Sequence, residues 1–394
     1  MSTRALAELE AGLAARDAAG LGRRRHAVET RQGARLTVDG REVLHFGSND
    51  YLGLAADPRV IMAAQEGAAR HGVGAGASHL ISGHFSAHDA LERELADWIA
   101  PCADSRALLF STGYMANLAI VTALCGRRDA VFGDRLNHAC LNDAALLSRA
   151  EFIRYRHGDL EELRRRLVDS RARRKLICTD AVFSMDGDIA PLPGLLDLAQ
   201  DHDAWLVVDD AHGFGVLGRD ADGRGALAHF GLASERIVYM GTLGKAAGVA
   251  GAFIAAHRAV IETLLQTARP YVFTTASPPL LACALRTSLA ILRGEPHRRA
   301  RLFALIARFR AGAATLPWRV LPSDTAIQPL VVGDNAAALA LSDALWQRGL
   351  WVPAIRPPTV PQGTARLRIT LSAAHAEADV ARLLAALAEL AERA

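Results

Sequence analysis

The sequence predicts an α/β fold: a mostly parallel central sheet with helices on both faces, plus a smaller α+β domain at the C-terminus. Three observations carry this. Between residues 46 and 290, short runs that are apolar nearly throughout alternate with longer helical patterns. Strands of that kind, separated by helices, belong to parallel sheets covered on both sides. After Gly294-Glu-Pro296 the texture changes to fewer strands and flanking helices. Finally, 394 residues with 51% hydrophobic content suit one large domain with a companion, and exclude a disordered chain.

Taken in order, residues 1–45 read as an arm. An Ala/Leu-rich helix runs to about Ala19, the basic turn Gly22–Arg25 follows, and strand patterns appear at Leu36–Val38 and Val43–Phe46. Residues 46–290 form the large domain. Its strand candidates are Ala107–Phe110, Ala130–Phe132, Phe152–Ile153, Leu176–Cys178, Leu206–Val208, Ile237–Tyr239 and Gly251–Ile254. Residues 291–394 form the small domain: a helix near 297–315, strands Trp318–Leu321 and Ile327–Val332, a helix near 336–348, a proline-rich bend, the strand Arg366–Thr370 and a final helix near 375–393. No internal repeat or low-complexity linker interrupts the chain.

Several function classes are excluded. No apolar run reaches the roughly 20 residues of a membrane span, and the first residues carry no signal-peptide core, so the cytoplasm is expected. The five cysteines are dispersed without a Cys-x-x-Cys pair, which points to neither a disulfide framework nor a metal site. Net charge is only +3. The arginine-rich Leu163–Lys175 stretch suits a nucleic-acid patch less well than a solvated helix face, because no aromatic residue interleaves it. A nucleotide-binding or nucleic-acid regulatory protein on a similar sheet is the alternative of a different class.

The residues that carry chemistry follow strand candidates. Lys245 lies in the small-residue turn Thr242-Leu-Gly-Lys245 after Ile237–Tyr239, and Asp209 ends the run from Trp205, with His212 three residues later. An amine that can form a Schiff base, a strand-end carboxylate and a histidine are the parts of a pyridoxal phosphate enzyme. The carboxylate keeps the pyridine nitrogen protonated, so that the ring absorbs electrons from a carbanion. Phe110–Asn117 reads as strand, turn and helix start, where the amides of Gly113 and Tyr114 would face a phosphate. His138 follows Ala130–Phe132 and can stack on a planar ring; Ser184, after Val182-Phe183, can bond a phenolic oxygen. The glycine-rich Gly72–Gly76 follows a helix and lacks Gly-x-Gly-x-x-Gly spacing, so it is no dinucleotide loop. A mobile or tightly bent active-site loop over Gly72–Gly83 is expected instead.

Four segments together resemble the α-oxoamine synthase family of fold type I pyridoxal phosphate enzymes: Phe46–Leu54, Val182–Asp188, Val208–Gly213 and Thr242–Lys245. The resemblance covers nearly the whole chain, from Arg23 to the last helix. It implies that Lys245 binds the cofactor and shuttles the Cα proton, Asp209 pairs with the pyridine nitrogen, and His138 stacks on the ring. It also implies that Ser184 and His212 contact the phenolic oxygen side, with Gly113, Tyr114 and Thr242 near the phosphate. Asn49 and Arg368 match positions that hold an amino-acid carboxylate; Arg23, Arg356 and Thr359 match positions near the acyl substrate, as His138 does on the substrate side. Members using glycine with acetyl-CoA or succinyl-CoA tend to carry an aromatic residue before the first proline, where this chain has Arg356-Pro357-Pro358. The bend looks most like that of the member joining L-alanine to a pimeloyl thioester, on CoA or on an acyl carrier protein, with loss of CO₂. Gly74–His79 departs from relatives that are richer in glycine or end in arginine there, which leaves that loop's role open. A homodimer is expected.

Overall fold

Seven of the apolar runs become the seven strands of one sheet: β1 (Ser105–Phe110), β2 (Ala130–Asp134), β3 (Glu151–Tyr155), β4 (Lys175–Asp180), β5 (Ala204–Asp209), β6 (Ile237–Thr242) and β7 (Ala252–His257). Their order is β1-β7-β6-β5-β4-β2-β3. All neighbours pair in parallel except those of β7, which runs antiparallel to both β1 and β6. The cause is local. Only the short Leu243–Gly251 connection joins β6 to β7, and a parallel return needs a crossover of about a dozen residues or more. The computed structural model describes residues 3–392, in two compact units: Asn49–Ser184 with Asp188–Leu302, and Met1–Ser48 with Met185–Gly187 and Phe303–Ala394.

In the unit that holds this sheet, Leu206, Val207 and Val208 of β5 are wholly buried, as are Ile237, Val238 and Tyr239 of β6. Both faces are therefore covered, which explains why these runs are apolar without alternation. One face packs on the helices Gly113–Leu124, Ala139–Ser148 and Arg258–Thr267 through Ile120, Leu141 and Leu264. Caps set where helices begin. Thr112 Oγ1 accepts from the amide of Met115 at 3.2 Å, and Asp57, followed by Pro58 at the first helical position, accepts from Arg59. The glycine run after the helix Pro58–His71 leads, through Ala75, which is buried, into a single π-turn at His79–Gly83. It is tightly bent. All five cysteines are free, and Cys102, Cys125, Cys140 and Cys178 are buried.

The other unit has a four-stranded sheet in the order Arg319–Val320, Ile327–Gly333, Ala365–Thr370 and Ala354–Ile355. It also has a three-stranded sheet of Arg35–Val38, Arg41–His45 and Leu350–Trp351, with the helices Asn335–Gln347 and Glu377–Ala391. The candidate strand at Trp318–Leu321 shrinks to two residues, bracketed by Pro317 and Pro322, which cannot donate to a ladder. The proline-rich bend contains a short strand, Ala354–Ile355, that apolar patterning misses. The first helix, Arg4–Ala18, buries none of its residues.

Loops after β2 and β4 are pinned by His157. Its Nδ1 lies 3.1 Å from Asp134 and its Nε2 2.8 Å from Asp188, while its ring meets Phe183 edge-on at 4.4 Å. Partial burial works against the imidazolium, but the hydrogen bonds and charges of Asp134 and Asp188 outweigh it and raise the pKa to about 10. A group raised in the folded state stabilises fully below its unfolded value near 6.5, and that stabilisation is lost as pH climbs through its folded value. His157→Gln should therefore lower the melting temperature at pH 6–7, by roughly 2–4 °C for each kcal/mol removed. The gap to wild type should close as pH approaches about 10. Thermal melts of both proteins across this range check it, and a gap that widens with pH would contradict it.

Candidate active site

Because β1, β2, β4, β5 and β6 point the same way, their carboxyl ends share one edge of the sheet, the edge at which open α/β folds bind ligands. Asp209 ends β5 and is in register with Asp180 of β4 and Met240 of β6. It is buried and takes two donors: Asn117 Nδ2 at 2.7 Å on its Oδ2 and the amide of Ala211 at 3.0 Å on its Oδ1. The next residue, Asp210, has other partners, the hydroxyl of Tyr239 at 2.9 Å and the amide of Ala226 at 2.7 Å, and burial raises its carboxyl to about 7. Burial and the charge of Asp209 push Asp180 well above the usual carboxylate range.

Lys245 follows β6 in a turn closed by Gly248, whose amide bonds the lysine carbonyl at 2.8 Å. Gly248 has φ +68°, and a Cβ there would lie 2.5 Å from the backbone nitrogen of Ala55. The lysine turn can thus approach the Asn49–Ala55 segment only with glycine at this position. That segment is shaped by Asp50, whose carboxylate accepts from the amides of Leu54 at 2.8 Å and Ala55 at 3.1 Å. Lys245 Nζ lies 2.9 Å from His212 Nε2, and His212 Nδ1 lies 2.5 Å from the hydroxyl of Tyr51, which donates to Asn49 Oδ1 at 3.2 Å.

His138 caps the helix Ala139–Ser148. Its amide donates to Asp180 at 2.6 Å and its Nδ1 lies 2.9 Å from Cys140 Sγ, which also accepts from Asn117 at 3.1 Å. Although the residue is exposed, walls around its ring desolvate it and hold its pKa below the ordinary value; Asp209 opposes this and Lys245 reinforces it. The neutral ring suits stacking. Gly113 and Tyr114 open the helix Gly113–Leu124, where amides and helix dipole favour a phosphate. The Tyr114 hydroxyl itself is committed to Asp143. Thr242 Oγ1 donates to the carbonyl of Gly251 at 3.2 Å. Ser184 leads a tight loop in which the amide of Phe183 bonds the carbonyl of Asp188 at 3.0 Å.

One unit thus supplies all eight residues expected to hold the cofactor: Gly113, Tyr114, His138, Ser184, Asp209, His212, Thr242 and Lys245. Their donor set fits pyridoxal phosphate: an amine for the aldehyde, a doubly held carboxylate for the ring nitrogen, an imidazole face for the ring and a helix opening for the phosphate. Sequence reading missed Asn117 and Tyr51. Asn117, wholly buried within the apolar run Met115–Leu124, was the available signal, since a buried amide demands a polar partner.

The remaining candidates lie in the other unit, apart from Asn49. There Arg356 donates to the carbonyls of Gly20 and Gly22, and so holds the turn that carries the exposed Arg23. Thr359 is exposed, with its amide on the carbonyl of Arg356 at 3.1 Å. Arg368 is buried and donates to Thr370 Oγ1 at 3.0 Å. On the same strand face Arg366, also missed, grips Asp186 and the carbonyl of Met185.

The aminotransferase class I and II family pattern matches residues 41–387. The 8-amino-7-oxononanoate synthase of Herminiimonas arsenicoxydans is 60% identical over 380 residues, covering 95% of this chain and 97% of its own. A high-resolution structure of the serine palmitoyltransferase SPT with PLP superposes with a TM-score of 0.91 at 31% identity, covering 98% of this chain and 97% of the other. The 8-amino-7-oxononanoate synthase of Francisella tularensis superposes with a TM-score of 0.77 at 30% identity, covering 89% and 98%.

The Asn117 bonds generate a prediction that needs no assay of activity. Asn117→Leu keeps volume but removes the side-chain donor of Asp209, so the protein should lose roughly 1–3 kcal/mol of stability. Urea denaturation measures this, and an unchanged midpoint would show that water replaces the amide.

Proposed function

The chain belongs to the aminotransferase class I and II family, and on that premise we propose that it condenses L-alanine with a pimeloyl thioester, releasing CO₂ and forming 8-amino-7-oxononanoate for biotin biosynthesis. It is a pyridoxal phosphate-dependent acyltransferase. The observation that carries the substrate pair is the 60% identity to an 8-amino-7-oxononanoate synthase over nearly the full length of both chains. A cytoplasmic homodimer is part of the same reading; among the described residues no helix is long and apolar enough to cross a membrane.

The bound cofactor supplies an aldehyde for amines and a ring that spreads the electron pair released at the amino acid's Cα. The roles of the side chains follow from their surroundings. Lys245 Nζ would tether the cofactor and, as a free amine, would take the Cα proton and later return one. Asp209, which accepts hydrogen bonds from Asn117 and the Ala211 amide, would hold a proton on the ring nitrogen and so favour the spread of negative charge from Cα. His138 covers one ring face, and His212 and Ser184 bond the phenolic side. Gly113, Tyr114 and Thr242 receive the phosphate. Asn49 and Arg368 hold the alanine carboxylate, for which a guanidinium offers two parallel donors. Arg23, Arg356 and Thr359 receive the acyl donor.

Two predictions test this. Crossing L-alanine, glycine and L-serine with pimeloyl, acetyl and palmitoyl thioesters should give turnover for alanine with pimeloyl, on CoA or carrier protein. Lys245→Ala should abolish that turnover while leaving the fold intact. Product from serine and a palmitoyl thioester, with none from alanine, would instead favour the activity named for the serine palmitoyltransferase neighbours. The arginines should then separate. Arg368→Ala should weaken alanine binding at least tenfold, on the order of 1.4 kcal/mol or more, with little effect on the acyl donor. Arg356→Ala should impair the acyl step. Equilibrium titration of cofactor absorbance with alanine reads both, and an alanine defect confined to Arg356→Ala would overturn the division.

A further inference from the structure

Three histidines, His79, His84 and His88, gather at the π-turn that ends the Gly72–Gly83 loop, with ring nitrogens within 4.8 Å of one another. All three belong to the unit that holds the large sheet, and none takes part in the site described above. The turn brings His79 and His84 together. Its bond from the amide of Gly83 to the carbonyl of Ser78, 2.9 Å long, spans one residue more than an α-turn, so residues five apart meet. Glycine is required at 83, because a Cβ there would collide with the carbonyl oxygen of Ala77. The ring of His79 lies flat on buried Tyr271, with centroids 5.2 Å apart and planes at 8°, whereas His84 is exposed. The two Nδ1 atoms are 3.0 Å apart. Two nitrogens bound to one cation at about 2.1 Å stand about 3.0 Å apart at a right angle, and about 3.4 Å apart at the tetrahedral angle. The pair therefore matches adjacent corners of a square-planar or tetragonal site, the geometry of Ni²⁺ and Cu²⁺, better than the tetrahedron of Zn²⁺.

We propose that His79 and His84 form a binding site for a divalent first-row cation of the nickel or copper kind, held between their Nδ1 atoms, with water at the remaining positions and His88 left uncoordinated. Burial holds the His79 imidazole down to about 4 and lowers that of His84, so both rings are neutral near pH 7, as ligation requires. Both Nδ1 lone pairs face the ion once each ring carries its hydrogen on Nε2. Asp89 adds a negative charge close to His84. His88 is committed elsewhere. An amide can only donate, so the 3.1 Å bond from the Phe85 amide places a lone pair on His88 Nδ1. In the neutral ring the hydrogen is then on Nε2, which faces the carbonyl of Ser277. The ion enters from the exposed His84 side and, through His79, ties the π-turn to Tyr271.

The test titrates the untagged full chain, with its cofactor bound, with Ni²⁺ and follows the heat of binding. A single ion should bind per chain. His79→Asn and His84→Asn should each weaken it at least about tenfold. His84 is exposed, so its replacement leaves packing undisturbed. His88 stands at the third position of its helix, where glutamine serves as well in accepting from the capping residue's amide. His88→Gln therefore keeps the Phe85 bond and should leave the affinity within about twofold of wild type. Zn²⁺ should bind more weakly than Ni²⁺. No binding at about 1 mM Ni²⁺, or an affinity unchanged in both His79→Asn and His84→Asn, would overturn the site. Loss of binding in His88→Gln would overturn the two-ligand assignment, and tighter binding of Zn²⁺ than of Ni²⁺ would overturn the right-angle geometry.

Discussion

The parallel register of β4, β5 and β6 is the constraint on which the candidate site depends. It sets Asp180, Asp209 and Met240 side by side at the carboxyl edge of the sheet. In a strand, side chains alternate between faces, so a slip of one residue would send Asp209 to the opposite side. Complete burial of the strands on both faces prevents that slip, since it would demand repacking of Val207, Val238 and their neighbours. The apolar runs therefore do more than build a core. They aim one carboxylate.

Holding that carboxylate has a cost. Removing an ion from water is unfavourable by several kcal/mol unless hydrogen bonds compensate. Asn117 and the Ala211 amide compensate for Asp209, whereas burial, reinforced by its neighbour's charge, pushes Asp180 well above the usual range. Two adjacent carboxylates with this asymmetry form a region of negative potential that a cationic ring nitrogen relieves. On the proposed assignment of Asp209 to the ring nitrogen, charge that is unfavourable at this sheet edge would become favourable for the cofactor, which is the sense in which the fold would be preorganised for it.

How much of this was legible depended on distance along the chain. Strand-end residues such as Asp209 and the lysine turn could be read because an apolar run and its chemistry-bearing terminus are contiguous. All seven strands of the large sheet were visible for the same reason. Asn117 and Tyr51 escaped because their meaning lies in partners 92 and 161 residues away, Asp209 and His212. Arg366 finds Asp186 across 180 residues. Spacing announces neither pair. The strands Leu350–Trp351 and Ala354–Ile355 are too short to show any period. The loop at Gly72–Gly83 was expected to be either mobile or tightly bent, and its π-turn depends on backbone bonds such as that from the amide of Gly83 to the carbonyl of Ser78 at 2.9 Å.

The proline-rich bend adds a different kind of control. Arg356 gives hydrogens to the carbonyls of Gly20 and Gly22, which satisfy donors without cancelling charge. Its guanidinium is therefore held in place while remaining cationic, next to a turn that carries Arg23, Arg24 and Arg25. A phosphate-bearing thioester of the kind proposed above, whether nucleotide-linked or on a carrier protein, would meet attraction from this cluster. Charge gathered in this way speeds encounter and falls off with salt. It discriminates little between acyl chains, since each arrives on a polyanion. On that reading discrimination would fall to the shape of the bend, where Pro357 and Pro358 restrict the backbone on either side of their bond and leave Thr359 exposed beside it.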